Sequence, residues 1–209
     1  LPGDFRVRVS SIEATEVTRE LIAVMRDHRD KVCPHLHISM QSGSDSVLRR
    51  MRRRWGSQRF VDRCQLLQES LDRPAITTDI IVGFPGETDA EFAETCDVAR
   101  HVGFSKIHIF PFSARRNTPA AELPDQLPKK IKQQRGQELA RVEAELRDAY
   151  FSSLQGMPLR VLVEGPIDDQ PLTNVGTSCR YAPVAIPAGA ANYGEFIDVV
   201  AWKPKSEGI

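Results

Sequence analysis

A chain of 209 residues, 41% of them hydrophobic, is long enough for one or two domains with buried cores. Lys plus Arg equal Asp plus Glu at 28 each, so net charge selects neither nucleic acid nor a membrane, and such a partner must be read from local patches. No apolar run reaches the roughly 20 residues of a spanning helix, and Leu1-Pro2-Gly3-Asp4 lacks the basic and apolar regions of a signal peptide; a cytoplasmic location without a membrane partner is expected.

In chain order, strand-like runs at 5–9, 36–40, 76–82 and 105–110 alternate with amphipathic helical patterns over 15–27, 45–53, 59–71 and 89–101. Thr15 is placed to cap the first helix, and Leu21, Ile22, Val24 and Met25 give it a core face. This βα repeat predicts an α/β fold with a parallel sheet, where ligands bind at the carboxyl ends of strands. Two strands run straight into polar, glycine-bearing loops: HLHISMQSGSD from His35 to Asp45, and TTDIIVGFPGETDAEF from Thr77 to Phe92. Together they suggest one shared small-molecule site. Four strands cannot close an eight-stranded barrel, and the first begins almost at Leu1, so the sheet is expected to lack its beginning.

Beyond Phe110 a proline-rich connector runs over 111–128, followed by a long helix from Lys129 to about Leu154 on which Leu139, Val142, Leu146 and Tyr150 recur at helical spacing. Its first turns carry the basic Lys129, Lys130, Lys132 and Arg135, and Gly156 with Pro158 stops it. The runs LRVLVEG, APVAIP and EFIDVVAW then predict a small β-barrel. The expected division is therefore 1–127 for the α/β unit, 128–156 for the connecting helix and 157–209 for the barrel. Cys33, Cys64, Cys96 and Cys179 lie far apart and make no close metal-type pair; Cys64 and Cys96 fall on apolar helical faces as structural thiols.

The blocks HLHISMQSGSDSVLRRMRRRW, TTDIIVGFPGET and HIFPFSARRNTPAA resemble the radical S-adenosylmethionine methylthiotransferases, and the tail with GTSCRYAPVAI resembles their TRAM domain, so nearly the whole chain is covered. RVRVSSIEATEVT and the paired histidines of HLH are most similar to the tRNA threonylcarbamoyladenosine branch. The resemblance implies a partial (β/α) radical SAM barrel, a long helix and a TRAM-like β-barrel. It implies S-adenosylmethionine as cofactor, tRNA as partner, and methylthio transfer to an adenosine beside the anticodon, with electron donor and sulfur source unidentified. It also implies two [4Fe-4S] clusters in the full-length enzyme. Their CxxxCxxC loop and second cysteine set are not in this chain and by the family's layout belong upstream of Leu1, so the chain alone is expected to be inactive. An isopentenyladenosine tRNA or a ribosomal protein is the alternative substrate, and a non-catalytic RNA-binding remnant is the alternative outside the enzyme class.

The resemblance assigns the cofactor wall. Gln41, Ser42 and Ser44 offer amide and hydroxyl groups for ribose hydroxyls beside Gly43, although QSGSD is also a good helix start. Val82, Gly83 and Phe84 offer an apolar edge to adenine, or only a strand-to-helix turn. Asp79 points into the barrel or caps a neighbour. Arg53, in a run with Arg49, Arg50, Arg52 and Arg54, matches the LxxMxRxY arginine that would clamp the methionine carboxylate, with Trp55 replacing the tyrosine. Glu13 is placed to bind a cofactor group or to sit in a first helical turn. On the substrate side Arg115 and Thr118 match SxRxxT, with Asn117 where the family has a glycine. His35 and His37 share one strand face as core or supporting histidines, and Arg160, Arg180, Tyr181, Tyr193, Trp202, Lys203 and Lys205 are the tail's candidates for RNA, a barrel that only packs against the catalytic domain being the alternative.

Overall fold

The computed structural model describes residues 3–167 and 170–202. Strands β1 (Val7–Ile12), β2 (Val32–Ile38), β3 (Ala75–Val82) and β4 (Lys106–Pro111) form one parallel sheet in the order β1-β2-β3-β4. Helices α1 (Arg19–Asp27), α2 (Asp45–Arg50), α3 (Ser57–Ser70) and α4 (Asp89–Val102) make the crossovers. The period of two along each strand separates two kinds of face. Leu36, Ile38, Ile76, Ile80, Val82 and Ile107 turn to the helices and join Met25, Phe60, Leu67, Phe92 and Ala99 in one core. On the opposite face the register sets His37 beside Thr77, Thr77 beside Lys106, Asp79 beside His108 and Ile81 beside Phe110.

Local chemistry sets most boundaries. Thr88 and Glu91 form a reciprocal capping box at the start of α4, and Gly103, at φ 72°, ends it in the left-handed region. The first helix starts later than its sequence suggests: the Thr18 hydroxyl accepts from the Leu21 N–H, while Ala14–Glu16 form a separate 3-10 turn. Strand β2 begins at Val32, ahead of the expected 36, and carries Pro34 within it.

Helix α5 (Lys129–Ser153) ties the chain together. Leu139 and Val142 lie in the core under the parallel sheet, and Phe151 lies in a second core with Leu154, Leu159, Val161, Val163 and Ile186. That second core belongs to an antiparallel sheet of β5 (Pro158–Ile167), β6 (Gln170–Ser178), β7 (Pro183–Pro187) and β8 (Phe196–Val200), in the order β7-β6-β5-β8. The expected all-β tail is thus, among the described residues, a four-stranded antiparallel sheet. Gly176 lets β6 lie close: a Cβ there would stand 2.5 Å from the Leu162 carbonyl oxygen and 2.6 Å from Val161 Cγ1.

The tail grips the α/β unit through polar contacts. Arg8 Nη2 donates to the Ser178 carbonyl at 2.8 Å, and the Tyr181 ring stacks on His35 with centroids 4.7 Å apart and an interplanar angle of 18°. The Arg8 guanidinium lies 5.1 Å from the same tyrosine ring. Arg180, buried, donates to the carbonyls of Asp72 and Arg73.

Candidate functional site

A cavity of about 620 Å³ opens at the carboxyl ends of β2, β3 and β4. Its floor comes from the polar face of the sheet through Asp79 and Ile81, and its sides from Gln41, Phe84, Phe110 and Phe112. The end of α2 adds Arg50, Arg52 and Arg53, and the loop after β4 adds Arg115, Thr118 and Leu123. The volume suits a small-molecule site, and the lining combines apolar rings with a few convergent polar groups.

Gln41 occupies the left-handed region at φ 66°, held by hydrogen bonds on both sides. Its N–H donates to the Asp79 carbonyl at 2.8 Å, and its own carbonyl accepts from the Ile81 N–H at 2.9 Å. This pairing with β3 aims a strained glutamine into the cavity. Asp79 is steadied from behind: its Oδ2 is 3.3 Å from His37 Nε2, and His37 Nδ1 is 3.0 Å from the Thr77 hydroxyl. The same hydroxyl is 3.0 Å from His35 Nε2, so two histidines meet at one threonine and Asp79 follows on the far nitrogen of His37. Burial, with Arg8 adding to it, holds His35 neutral, its pKa pulled down to about 3, and burial lowers His108 as well.

Arg53 Nη1 lies 3.2 Å from Glu13 Oε1, so two of the expected site residues pair with each other at the rim. Arg50 makes a two-pronged pair with Glu91, both contacts 2.9 Å, and that hydrogen-bonded pair pulls the Glu91 carboxyl down to about 2. Asn117 takes φ 62°, the left-handed conformation a glycine would supply, and the Thr118 hydroxyl closes the turn onto the Arg115 carbonyl at 2.8 Å.

The other expected residues stand elsewhere. Ser42 and Ser44 are fully buried; the Ser42 hydroxyl is 3.1 Å from the Thr95 hydroxyl and accepts from the Ser44 N–H. Gly43 admits α4, since a Cβ there would lie 2.7 Å from Thr95 Cα. Val82 is buried in the core, and Gly83, at φ 73°, is crossed by the Lys132 side chain, whose Cγ would be 2.3 Å from a Cβ. In the tail, Arg160 pairs with Asp4 and Asp198, Arg180 and Tyr181 face the α/β unit, Tyr193 and Trp202 are exposed, and Lys203 and Lys205 lie outside the described residues.

Sequence reasoning missed two features. Glu87 accepts from the Gly83 N–H and from Arg135 of α5, each at 2.7 Å, inside a site that leaves Glu87 4% and Arg135 5% exposed. Burial raises the Glu87 pKa against the pull of Arg135. The basic start of α5 therefore includes a buried anchor for the loop behind the cavity. The second is Phe110, which sits 50% exposed at the cavity; its place on the polar face, two residues after His108, was the available signal.

Among the described residues no three His, Cys, Asp or Glu side chains gather as a metal ion requires, and the four cysteines are free. Burial raises the thiol pKa of Cys64, and that of Cys96 to about 11, so both are inert packing groups. Among the described residues the separate, buried or half-buried cysteines do not fit an iron–sulfur cluster. Among the described residues no helix is long and apolar enough to cross a membrane.

Residues 2–99 match the Radical SAM superfamily. A threonylcarbamoyladenosine tRNA methylthiotransferase of Bacillus subtilis is 38% identical over 99% of this chain and 47% of its own length. The enzyme of the same name from Thermotoga maritima is 42% identical over 78% of this chain and 38% of its own. A tRNA-2-methylthio-N(6)-dimethylallyladenosine synthase of Acetivibrio thermocellus is 33% identical over 95% of this chain and 41% of its own. The chain spans about half the length, or less, of these curated relatives. Among solved structures, coproporphyrinogen III oxidase of Escherichia coli, a radical SAM enzyme, superposes with a TM-score of 0.55 at 11% identity, over 87% of this chain and 51% of that one. That likeness concerns the fold.

Proposed function

We propose that this chain, whose residues 2–99 match the Radical SAM superfamily and whose relatives include tRNA methylthiotransferases, forms the cofactor wall of a tRNA methylthiotransferase acting on N6-threonylcarbamoyladenosine. The observation that carries this reading is the cavity at the carboxyl ends of β2 to β4, partly within the matched stretch and lined by groups that suit S-adenosylmethionine. Bound there, S-adenosylmethionine would supply the adenosyl radical and the methyl group.

The work of this chain is to bind and orient. The Gln41 amide and the Asp79 carboxylate suit ribose hydroxyls or the ligand's amine, with His37 holding the carboxylate in place. Phe84 and Ile81 give an apolar side for adenine. Arg53 is available to exchange Glu13, which it meets through one nitrogen only, for the ligand's carboxylate. Ser42, Gly43 and Ser44 act one layer back, fastening the Gln41 turn to α4. The threonylcarbamoyl product is favoured over dimethylallyladenosine by a narrow margin in the identity of the relatives, 36–42% against 33–38%.

Mass spectrometry of tRNA nucleosides from a strain lacking the gene tests the reading. Loss of the methylthio group from threonylcarbamoyladenosine, restored by the intact gene and not by an Asp79→Ala copy, is the expected result. Loss from dimethylallyladenosine would move the substrate to that branch, and unchanged tRNA would reject the reading.

A further inference from the structure

We infer that the tail positions the carboxylate of the cavity: Tyr181 fixes the His35 ring, and a one-way series of hydrogen bonds from His35 through Thr77 and His37 holds Asp79 as an acceptor for the ligand. Resting on the S-adenosylmethionine reading, this makes Tyr181, His35, Thr77 and His37 positioning residues, none of which lines the cavity.

The links follow from the register of β2 and β3. His37 lies beside Thr77, which sets the Thr77 hydroxyl 3.0 Å from both His35 Nε2 and His37 Nδ1, and His37 Nε2 stands 3.3 Å from Asp79 Oδ2. His35 is 2% and Thr77 1% exposed, so their partners come from the chain and not from bulk water.

The two ends of the series agree on its direction. At the seam, among the described residues, His35 Nδ1 is buried without a partner, and burial keeps the ring neutral. A neutral imidazole carries one proton: on Nδ1 it would be a buried donor with nothing to meet, whereas on Nε2 it reaches Thr77. The Thr77 oxygen therefore accepts from His35, and its hydroxyl proton goes to His37 Nδ1. His37 is left with its ring proton on Nε2, facing Asp79, which as a carboxylate only accepts. The reverse direction would turn a bare His37 nitrogen toward the carboxylate or call for a second proton on that ring.

Tyr181 brings the tail to the start of the series. Its ring lies stacked on His35, centroids 4.7 Å apart, and it holds φ 60°, a left-handed conformation that a bulky side chain adopts only at a cost. The turn is pinned by the Tyr181 N–H donating to the Ser178 carbonyl at 2.9 Å. A strained aromatic residue laid flat on the ring that begins the series is a mark of positioning independent of the hydrogen bonds. Without it, water reaches His35 Nδ1 and the proton order is no longer imposed.

Nuclear magnetic resonance of the 209-residue chain, isotopically labelled at its histidine nitrogens, reads the ring protons, and calorimetry with S-adenosylmethionine reads the cavity. His35 and His37 should both be neutral rings protonated on Nε2. Thr77→Val, which keeps the shape and removes the hydroxyl, and Tyr181→Ala should each shift the His37 signals and weaken S-adenosylmethionine binding roughly three- to tenfold. Thr77→Ser and Tyr181→Phe should recover the parent's signals and affinity. A parent His35 protonated on Nδ1, or parental His37 signals and affinity in both Thr77→Val and Tyr181→Ala, overturns the inference and leaves the cofactor reading standing. A parent chain that does not bind S-adenosylmethionine overturns the cofactor reading instead, because the His37 signals still report whether Tyr181 and Thr77 govern the group on Asp79.

Discussion

Over the first halves of β1 and β2, the polar face of the parallel sheet is covered by the tail, where Arg8, His35 and Arg180 have partners within the chain. Over the last halves of β2 to β4 the same face opens into the cavity, where Gln41 and Arg52 hold strained backbones and Phe110 is half exposed. Residue type does not distinguish the two ends, since both are rich in arginine, histidine and aromatic rings. What differs is how far each group is engaged: Arg8, His35 and Arg180 make contacts across the seam, although Arg8 Nη1 and His35 Nδ1 are buried without a partner among the described residues, while Arg52 and Phe110 stand exposed. The sealed end contributes stability, and the open end keeps its interactions for a ligand.

The largest effect concerns the anchor that keeps the open end in shape. Arg135→Ala leaves Glu87 buried without its partner and should cost about 3–5 kcal/mol, a fall in Tm of roughly 10 °C for a chain of this size, read by circular dichroism. At the seam, Arg180→Ala strips two carbonyls of a buried donor and should cost about 2–3 kcal/mol; a change as small as that of a surface arginine would break the comparison.

The seam should also carry a pH signature. His35 titrates near 6.5 when unfolded and about 3 when folded, so its stabilisation is present above 6.5 and is lost as the pH falls from there toward 3. Urea titrations at pH 7 and pH 5 should differ by about 2 kcal/mol from this group, and His35→Gln should remove that part of the difference. The smallest effects belong to the open end. Arg115→Ala should stay within about 0.5 kcal/mol, and Arg52→Gly should stabilise by about 0.5–1 kcal/mol.

The α/β repeat was legible because its signals are local: apolar periodicity on α3 and α4, the Thr88–Glu91 box, and glycines at the turns. Strand β6 was not, because Thr173, Asn174, Gly176 and Thr177 make a poor strand by composition and are held in one by pairing with β5 and β7 on either side. At the site, Gln41, Asp79, Phe84, Arg53, Arg115 and Thr118 line one cavity from segments far apart in the chain. Ser42 and Ser44 look alike in sequence to exposed hydroxyls, and only the packing of α4 against them reveals their burial. The tail's Arg180 and Tyr181 similarly depend on Asp72, Arg73 and His35, more than a hundred residues earlier, which no local pattern reports.

Isothermal calorimetry of the chain with S-adenosylmethionine tests the central claim most directly. The account predicts saturable binding at one site, weakened at least tenfold by Asp79→Ala, with the variant still folded by circular dichroism. No binding by the parent chain, or equal binding by Asp79→Ala and by Gln41→Ala, would contradict the assignment of the open end as the cofactor wall.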